Sequence, residues 1–415
     1  MGLIYKRIFQ AGLSLLLALC LVLNCFCNPV QALTQEQKLV VEAWRIVNRN
    51  YLDESFNHLN WSDVRKKAFK QPLNDYESAY KAIRMMLEGL EDPFTRFLDP
   101  QQYRSLKVNT SGELTGVGLQ IALNSQTGKL EVVTPIDGSP AEKAGIKPHD
   151  RILEIEGIST DKLSLDEAAT KMRGSIGSLV TLLIQRDKDP VKEVRLVRDR
   201  IQLNPVLAEL RSSSEGIPFG YIRLTQFNAN ASSELTRAIS SLEKKGAAAY
   251  ILDLRNNPGG LLQAGVEVAR MWLDRGTIVY TVNRQGIQGS FDAMDTALTH
   301  APLIVLVNEG TASASEILAG ALQDNHRGML VGETTFGKGL IQSLFELSNG
   351  SGIAVTIAKY ETPSHRDINK QGIKPDKVIA SEPIIREEVA TNKDTQYQTA
   401  LKLLTDNYLR VEVKS

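Results

Sequence analysis

Residues 303–316 read LIVLVNEGTASASE, and this stretch decides the fold. Its first five residues are apolar, which is typical of a strand buried on both faces of a sheet. A polar turn follows, and the pattern from Ser313 onward is helical. Similar pairs recur after residue 205, with strands at 248–252 and 329–331 and helices at 232–244, 261–273 and 313–322. This alternation predicts an α/β core around a largely parallel sheet.

Ser313 lies where the strand gives way to the helix. A serine at such a junction sits at the open end of the sheet, beside the free amides and the positive dipole of a helix N-terminus. Ser313 is therefore a candidate nucleophile. The pattern Ser313-x-x-Glu316 is also that of a capping box, which needs no chemistry. Taken alone, this segment favours the cap.

A second segment, GETTFGKGLIQ at 332–342, places Lys338 between two glycines after another apolar strand. Small flanking residues let its amine reach a neighbouring strand end. To act as a base, a lysine with an ordinary pKa of about 10.4 must titrate at about 7 to 8, which requires desolvation. Gln342 is a candidate for holding the amine in place. The apolar surroundings are expected from three neighbours: Phe336, Leu340 and Ile341.

The same segment fits a phosphate-binding loop as far as Gly332-x-x-x-x-Gly337-Lys338. Gly339 then stands where a Ser or Thr would ligate magnesium. A strand that ends in Asp253 resembles the second motif of nucleotide-binding proteins, which is a strand ending in an acidic residue. That motif normally follows the phosphate-binding loop, whereas Asp253 precedes it. The five histidines form no H-E-x-x-H zinc motif. We therefore expect neither a cofactor nor a metal.

A third segment, LDLRNNPGG at 252–260, runs from a strand end into a glycine-rich turn. The amides of Gly259 or Gly260, together with that of Ala314, are candidates for stabilising charge on a carbonyl oxygen. An ordinary strand-to-helix turn is the alternative. Asp253 and Arg255 either brace the site or form a structural ion pair, and both interpretations stay open.

Residues 115–121, TGVGLQI, form a glycine-bearing turn that leads into a strand. Successive N–H groups in such a turn can point at one anion, and a peptide can add as a strand beside 119–123. Over 108–200, short alternating strands and one helix at 164–173 follow in an order that resembles a PDZ domain. Its carboxylate-binding loop would be Val117, Gly118 and Leu119. A packing module without a ligand is the alternative.

Residues 1–32 have the pattern of an export signal, with two basic residues, an apolar run at 11–23 and small residues at 30–32. We expect the mature chain to begin near Leu33. All three cysteines lie in this segment, so the mature chain has no thiol and a cysteine mechanism is excluded. Attachment of a lipid anchor at Cys25 stays open as an alternative to an ordinary export signal, although the preceding residue, Asn24, is larger than the usual Gly or Ala.

The charges and the remaining patterns exclude other classes of partner. Forty-eight basic residues balance 48 acidic ones, which argues against nucleic acid as a partner. No stretch after the signal reaches the roughly 18 apolar residues of a membrane span. The helical periodicity of 33–107 predicts an N-terminal helical domain that serves packing and dimerisation. The expected divisions are thus 1–32, 33–107, 108–200 and 201–415.

Three segments, 251–260, 308–320 and 333–342, resemble the carboxyl-terminal processing peptidases when taken with the PDZ-like module. This resemblance implies a Ser/Lys dyad on a crotonase-like α/β core. It implies these roles: nucleophile, Ser313; base, Lys338; orienting residue, Gln342; oxyanion donors, the Gly259–Gly260 turn and Ala314; supporting charges, Asp253, Arg255 and Glu316.

The helical opening at 33–53 is similar to the photosynthetic branch of that family. That branch trims the C-terminal extension of the photosystem II reaction-centre protein precursor in the thylakoid lumen. The resemblance therefore implies an exported serine endopeptidase of the thylakoid lumen or the periplasm. Its partner would be a precursor protein with a free C-terminal extension, and a membrane-associated substrate stays open.

Two other function classes stay open. One is a PDZ-bearing scaffold or chaperone with an inactive core. The other is a histidine-dependent serine hydrolase, for which His326 is near enough in sequence to Ser313 to require a control. No histidine accompanies a G-x-S-x-G nucleophile motif, and we interpret His326 as a loop residue after the Ser313 helix.

Overall fold

A computed structural model describes residues 33–124, 127–380 and 386–412. The expected export signal at 1–32, with its cysteines, lies outside the described residues. The helices are α1 (Gln35–Asn50), α2 (Trp61–Ala68), α3 (Tyr76–Glu88), α4 (Pro100–Ser111), α5 (Pro140–Lys143), α6 (Leu165–Met172), α7 (Ala231–Lys244), α8 (Leu262–Arg270), α9 (Ala314–Asp324) and α10 (Thr395–Glu412).

The strands lie in four sheets. They are β1 (Arg96–Leu98), β2 (Glu113–Gly116), β3 (Leu119–Leu123), β4 (Leu130–Pro135), β5 (Arg151–Ile155), β6 (Ile158–Ser159), β7 (Leu179–Gln185), β8 (Lys192–Val197), β9 (Asp199–Gln202), β10 (Val206–Ser212), β11 (Pro218–Leu224), β12 (Ala249–Asp253), β13 (Thr277–Asn283), β14 (Gly286–Asp292), β15 (Leu303–Val307), β16 (Met329–Gly332), β17 (Leu340–Glu346), β18 (Gly352–Glu361) and β19 (Lys377–Val378).

The central sheet has the strand order β10-β11-β12-β15-β16-β19 and is parallel except for the edge strand β10. All five residues of β15 are buried, as its apolar run predicts. Alternate residues face opposite layers, so Val305 packs with α7, α8 and α9, while Ile304 and Leu306 pack with α10. The predicted α/β class is confirmed.

A second sheet, β1-β18-β13-β14 with β17 beside β18, carries the N-terminal helices. Apolar side chains of α1 and α3, such as Leu39 and Ile83, share one core with Ile353 and Val355 of β18. Strand β1 pairs antiparallel with β18, with Phe97 opposite Ile353. The N-terminal helices therefore bury their apolar faces against strands that lie far away in the sequence.

The PDZ-like region forms a separate antiparallel sheet in the order β3-β4-β5-β7-β8, with β6 paired to β5. Its core contains Val132, Ile152 and Leu182, and Ala168 of α6 packs against them. Helix α6 begins with a capping box, in which the Glu167 N–H donates to the Ser164 hydroxyl and the Ser164 N–H donates to the Glu167 carboxylate. Strand β3 lies at an edge of this sheet.

Within the described ranges, no helix has both the length and the apolar character needed to cross a bilayer.

Gly352 is the position where α4 packs directly on β18. A Cβ atom at Gly352 would lie 2.3 Å from Cδ2 of the Tyr103 ring. The Tyr103 side chain is held there, because its hydroxyl donates to Glu346 of β17 at 3.4 Å. The absence of a side chain at Gly352 thus sets how closely the helix approaches the sheet.

We expect Gly352→Ala to lower the stability of the chain by about 1–3 kcal/mol, because overpacking forces the ring or the strand to move. Thermal unfolding followed by circular dichroism measures the loss. Gly289→Ala in β14 is the matched control, since nothing lies within 4 Å of a Cβ there. Equal unfolding temperatures for the two variants would contradict the packing argument.

Candidate active site

Three loops meet at the carboxyl edge of the central sheet. In the parallel ladder Asp253 lies opposite Leu306, and Val307 lies opposite Gly332. The strands β12, β15 and β16 therefore end side by side. The segments that follow them contain Gly259, Ser313 and Lys338, so the sheet brings the three motifs to one place.

Ser313 has an unusual backbone conformation, with φ 59° and ψ −118°. Positive φ is uncommon for residues other than glycine, and strained conformations of this kind cluster at functional sites. Gly259 leaves room for the strained turn, because a Cβ atom there would lie 2.8 Å from Ser313 Cβ and 2.6 Å from the Ala312 carbonyl oxygen.

Ser313 and Glu316 occupy the capping-box positions that the sequence predicts, and the Ser313 hydroxyl lies beside the Glu316 N–H. That N–H donates to the Ser313 main-chain carbonyl at 2.8 Å. The Ser313 N–H in turn donates to Glu316 Oε2 at 2.9 Å. The carbonyl and the carboxylate thus satisfy the start of helix α9 without the hydroxyl, which is available for another role.

The Glu316 carboxylate joins the serine segment to the lysine segment. It is fully buried. Its Oε2 accepts from the N–H groups of Ser313 at 2.9 Å and Lys338 at 2.8 Å, and its Oε1 accepts from the Gly337 N–H at 2.7 Å and the Thr335 hydroxyl at 2.5 Å. The N–H groups of Gly337 and Lys338, which would bind a phosphate in a nucleotide-binding loop, therefore bind the Glu316 carboxylate instead.

Two opposing influences set the charge of Glu316. Burial raises the pKa of its carboxyl group above the ordinary value, although the hydrogen bonds from Thr335 and the backbone oppose this by lowering it. All four hydrogen-bond partners are donors, and only the ionised group can accept from all of them. We therefore assign Glu316 as a carboxylate at neutral pH.

The Lys338 amine is directed at a residue of the N-terminal region. Its Nζ lies 5.0 Å from the centre of the Phe94 ring, in a cation–π arrangement. Among the hydrogen bonds of the described residues, none joins Nζ to the Ser313 hydroxyl. The structure thus brings the two segments together without forming the expected contact between the two side chains.

The surroundings of Lys338 favour its neutral form. Burial lowers the pKa of the amine, and the positive charge of Arg96 lowers it further. The carboxylates of Asp92 and Glu316 oppose this by raising it, and the pKa still falls below its ordinary value. This is the direction that the role of a base requires.

The prediction that Phe336 shields the amine is wrong. Its N–H is fixed by the Thr311 carbonyl at 3.0 Å, but its side chain is 57% exposed. Leu340 and Ile341 are partly buried. Phe94, which follows α3, supplies the aromatic surface instead, and no local sequence signal links it to Lys338.

Gln342 does not contact the amine either. Its Nε2 donates to Thr356 Oγ1 at 3.4 Å. The Thr356 N–H donates to Thr95 Oγ1 at 3.0 Å, and the Thr95 hydroxyl donates to Asp92 Oδ2 at 2.7 Å. Gln342 is thereby connected to the loop that carries Phe94. Sequence reasoning missed this loop, because only the pairing of β1 with β18 brings it to the site.

The candidate oxyanion donors differ in availability. The Gly259 N–H donates to Asn257 Oδ1 at 3.0 Å, so it is already engaged. The N–H groups of Ala314, at the first position of α9, and of Gly260 have no acceptor within the described part of the chain. Gly260 must be glycine, since a Cβ there would lie 2.2 Å from the Phe227 carbonyl oxygen. Ala314 and Gly260 are thus the open donors.

Asp253 and Arg255 belong to a buried ion cluster that includes Asp394. Arg255 Nη2 contacts Asp253 Oδ2 at 2.7 Å and Asp394 Oδ2 at 2.8 Å. The Tyr221 hydroxyl donates to Asp253 Oδ2 at 2.8 Å. Asp394 also binds the start of α10 through the Tyr397 N–H at 3.0 Å. The geometry favours the structural interpretation of this pair, and no local sequence pattern indicates the involvement of Asp394 or Tyr221.

The glycine turn at the edge of the PDZ-like sheet has open amides. The N–H groups of Val117 and Gly118 have no acceptor among the described residues. Gly118 has φ 78°, and a Cβ there would lie 2.2 Å from Ser139 Cβ. Leu119 begins the edge strand β3. A peptide C-terminus could therefore be accommodated here by strand addition.

Comparison with known proteins agrees with this geometry. A model of peptidase family S41 matches residues 218–379, and a PDZ-domain model matches residues 131–186. The chain therefore belongs to peptidase family S41, and it is a serine-type peptidase with a PDZ domain.

Within that family the similarity is to carboxyl-terminal-processing proteases. The chain is 58% identical to one from Picosynechococcus sp., over 97% of this chain and 97% of that protein. It is 46% identical to the chloroplastic carboxyl-terminal-processing peptidase 2 of Arabidopsis thaliana, over 84% of this chain and 70% of that protein. A solved structure of a photosystem II D1 C-terminal processing protease matches with TM-score 0.55 and 43% identity, over 84% of this chain and 94% of that one. The resemblance inferred from the motifs is confirmed.

We expect Arg96→Gln to raise the pKa of Lys338, because it removes a nearby positive charge that disfavours the ammonium form. The shift should be largest at low ionic strength, since Arg96 is exposed and salt screens its charge. Titration of the Lys338 ¹³Cε resonance, identified by its loss in Lys338→Met, measures the change. Arg104→Gln, on the exposed face of α4, is the control. An unchanged or lowered pKa in Arg96→Gln would show that the electrostatic assignment is wrong.

Proposed function

We propose that Ser313 is the nucleophile and Lys338 the general base of this peptidase. The observation that carries the proposal is the buried Glu316 carboxylate, which binds the N–H groups of both residues at 2.9 and 2.8 Å. The strained backbone of Ser313 and the lowered pKa of Lys338 support the same roles. Together these features provide a partly exposed nucleophile and a base whose lowered pKa favours loss of its proton.

The proposed reaction begins with movement of the Lys338 amine. Rotation about its side-chain bonds takes Nζ from the Phe94 ring to the Ser313 hydroxyl. The neutral amine accepts the hydroxyl proton as Oγ attacks the peptide carbonyl carbon, and the carbonyl oxygen becomes an oxyanion held by the N–H groups of Ala314 and Gly260. The ammonium then donates its proton to the leaving amine. Water releases the acyl group through the same steps in reverse.

We further propose that the PDZ-like module binds the C-terminal carboxylate of the substrate through Val117, Gly118 and Leu119. The open amides of the turn and the edge position of β3 support this. The peptide would extend β3 and deliver an upstream bond to Ser313. The substrate is thus a precursor protein with a free C-terminal extension.

The named relatives support a narrower substrate and a location. A similar solved structure is that of a photosystem II D1 C-terminal processing protease, and several relatives are chloroplastic. We propose the photosystem II reaction-centre precursor, a membrane-associated protein, as the substrate. Residues 1–32 would direct export to the thylakoid lumen or the periplasm, and the mature chain would divide into 33–107, 108–200 and 201–415.

The histidine-dependent alternative has less support. Helix α9 has 11 residues and is therefore about 16 Å long. His326 lies exposed beyond its C-terminal end, whereas Ser313 precedes its N-terminal end. The scaffold alternative fails because the chain is a member of a peptidase family.

We expect Lys338→Ala to reduce cleavage of a C-terminally extended peptide by on the order of 10³-fold or more, because no base remains to activate Ser313. Lys338→Arg should be equally inactive, since it restores the charge without a usable base. His326→Ala should retain full activity, and thermal unfolding confirms that each variant is folded. Full activity in Lys338→Ala, or loss in His326→Ala alone, would overturn the assignment.

We expect a peptide with a free C-terminus to be cleaved with a lower KM than its C-terminally amidated twin, because the amide removes the charge that the turn binds. Steady-state kinetics on the two peptides gives the comparison. Gly118→Ala, which forces the turn against Ser139, should remove the difference. Equal KM values in the unaltered enzyme would exclude the module from carboxylate recognition.

A further inference from the structure

Tyr360 contacts both segments that carry the proposed catalytic side chains. It lies near the end of β18 and is 1% exposed. Its N–H donates to the Gly339 carbonyl at 3.0 Å, next to Lys338. Its hydroxyl donates to the Ser313 carbonyl oxygen at 3.0 Å. No motif in the sequence singles out this residue.

The Ser313 carbonyl does not need this hydrogen bond to be satisfied. It already accepts from the Glu316 N–H at 2.8 Å and the Ile317 N–H at 3.0 Å. Because the carbonyl oxygen already has two donors, the third hydrogen bond from the Tyr360 hydroxyl serves mainly to fix the orientation of the carbonyl group. It restrains the orientation of a peptide unit that follows a residue with φ 59°.

The geometry of the peptide bond connects this restraint to the oxyanion. The Ser313 carbonyl and the Ala314 N–H belong to one peptide unit, and no cis peptide bond occurs in the described part of the chain. A trans peptide unit is planar, so its C=O and its N–H point in opposite directions. A group that fixes the Ser313 C=O therefore also fixes the direction of the Ala314 N–H.

We propose that Tyr360 is a positioning residue that aims the Ala314 N–H at the oxyanion of the substrate. This inference rests on the proposed roles of Ser313 and Ala314. The hydroxyl also polarises the peptide unit, because a donor at the C=O strengthens the N–H at the other end. Tyr360 thus acts on the transition state through Ala314 and touches neither the substrate nor Lys338 Nζ.

The surroundings keep Tyr360 in its donor form. Burial, together with the Glu316 carboxylate, raises the pKa of its hydroxyl well above the ordinary value. The hydroxyl therefore stays protonated at neutral pH and remains able to donate. Its ring packs in the main core beside Ala314 and Ile317, so removal of the oxygen alone leaves the packing intact.

The test compares Tyr360→Phe with the unaltered enzyme in cleavage of one peptide. We expect kcat to fall about tenfold with KM unchanged, which is less than the roughly 100-fold or more caused by loss of a whole oxyanion donor. Tyr80→Phe in α3 is the control, since it removes a tyrosine hydroxyl away from the site, one that accepts a hydrogen bond from Asn349 Nδ2 at 2.8 Å. Thermal unfolding should be shifted to a similar extent in both variants.

A peptide aldehyde provides a readout that a purely structural role would not change. Ser313 Oγ adds to the aldehyde carbon, its proton passes to the Lys338 amine, and the aldehyde oxygen becomes an oxyanion. We expect Tyr360→Phe to weaken aldehyde binding by the same factor as kcat. Binding of the corresponding peptide alcohol, which forms no oxyanion, should be unchanged.

The outcomes separate this inference from the proposed function. Cleavage by Ser313→Ala would overturn the proposed function itself. If Ser313→Ala is inactive while Tyr360→Phe matches Tyr80→Phe in both kcat and aldehyde affinity, only the role of Tyr360 is refuted. A rise in KM with unchanged kcat would also refute it, because that pattern indicates lost substrate binding.

Discussion

A carboxylate removed from water must regain its hydrogen bonds from the protein, and Glu316 does so through four donors on two segments. One donor precedes α9, and the other three belong to the loop after β16. A single buried charge therefore fixes the relation between the segments of Ser313 and Lys338. Separation of the two segments would leave the carboxylate buried and unpaired, so the arrangement persists despite the strained backbone of Ser313.

A second level of restraint comes from β18, the long strand shared by two layers of the molecule. The Thr356 hydroxyl accepts a hydrogen bond from Gln342, and the Thr356 N–H donates to the Thr95 hydroxyl. Tyr360 donates to the main-chain carbonyls of Ser313 and Gly339. The N-terminal helices pack on the same strand. Residues that contain no reacting atom thus determine where the reacting atoms lie, and the helical region contributes to the site as well as to packing.

Local sequence patterns were sufficient for the central sheet and for the loops at its carboxyl edge, because a buried strand followed by a turn is encoded within about 15 residues. They were insufficient where partners meet through distant pairing. Phe94 lies near Lys338 because the neighbouring strand β1 pairs with β18, and Asp394 lies near Arg255 because α10 packs on the central sheet. The error at Phe336 arises because a hydrophobic residue in a loop need not be buried: its N–H is bound by the Thr311 carbonyl, while its side chain is exposed.

The placement of Phe94, Tyr360 and Asp394 across the chain has a consequence for biosynthesis. A nascent polypeptide that has just exposed Ser313 and Lys338 still lacks β18 and the acidic anchor of α10. Neither the lysine nor the serine then has its complete support. Assembly of the complete site therefore requires segments that lie well outside the two catalytic motifs in the sequence.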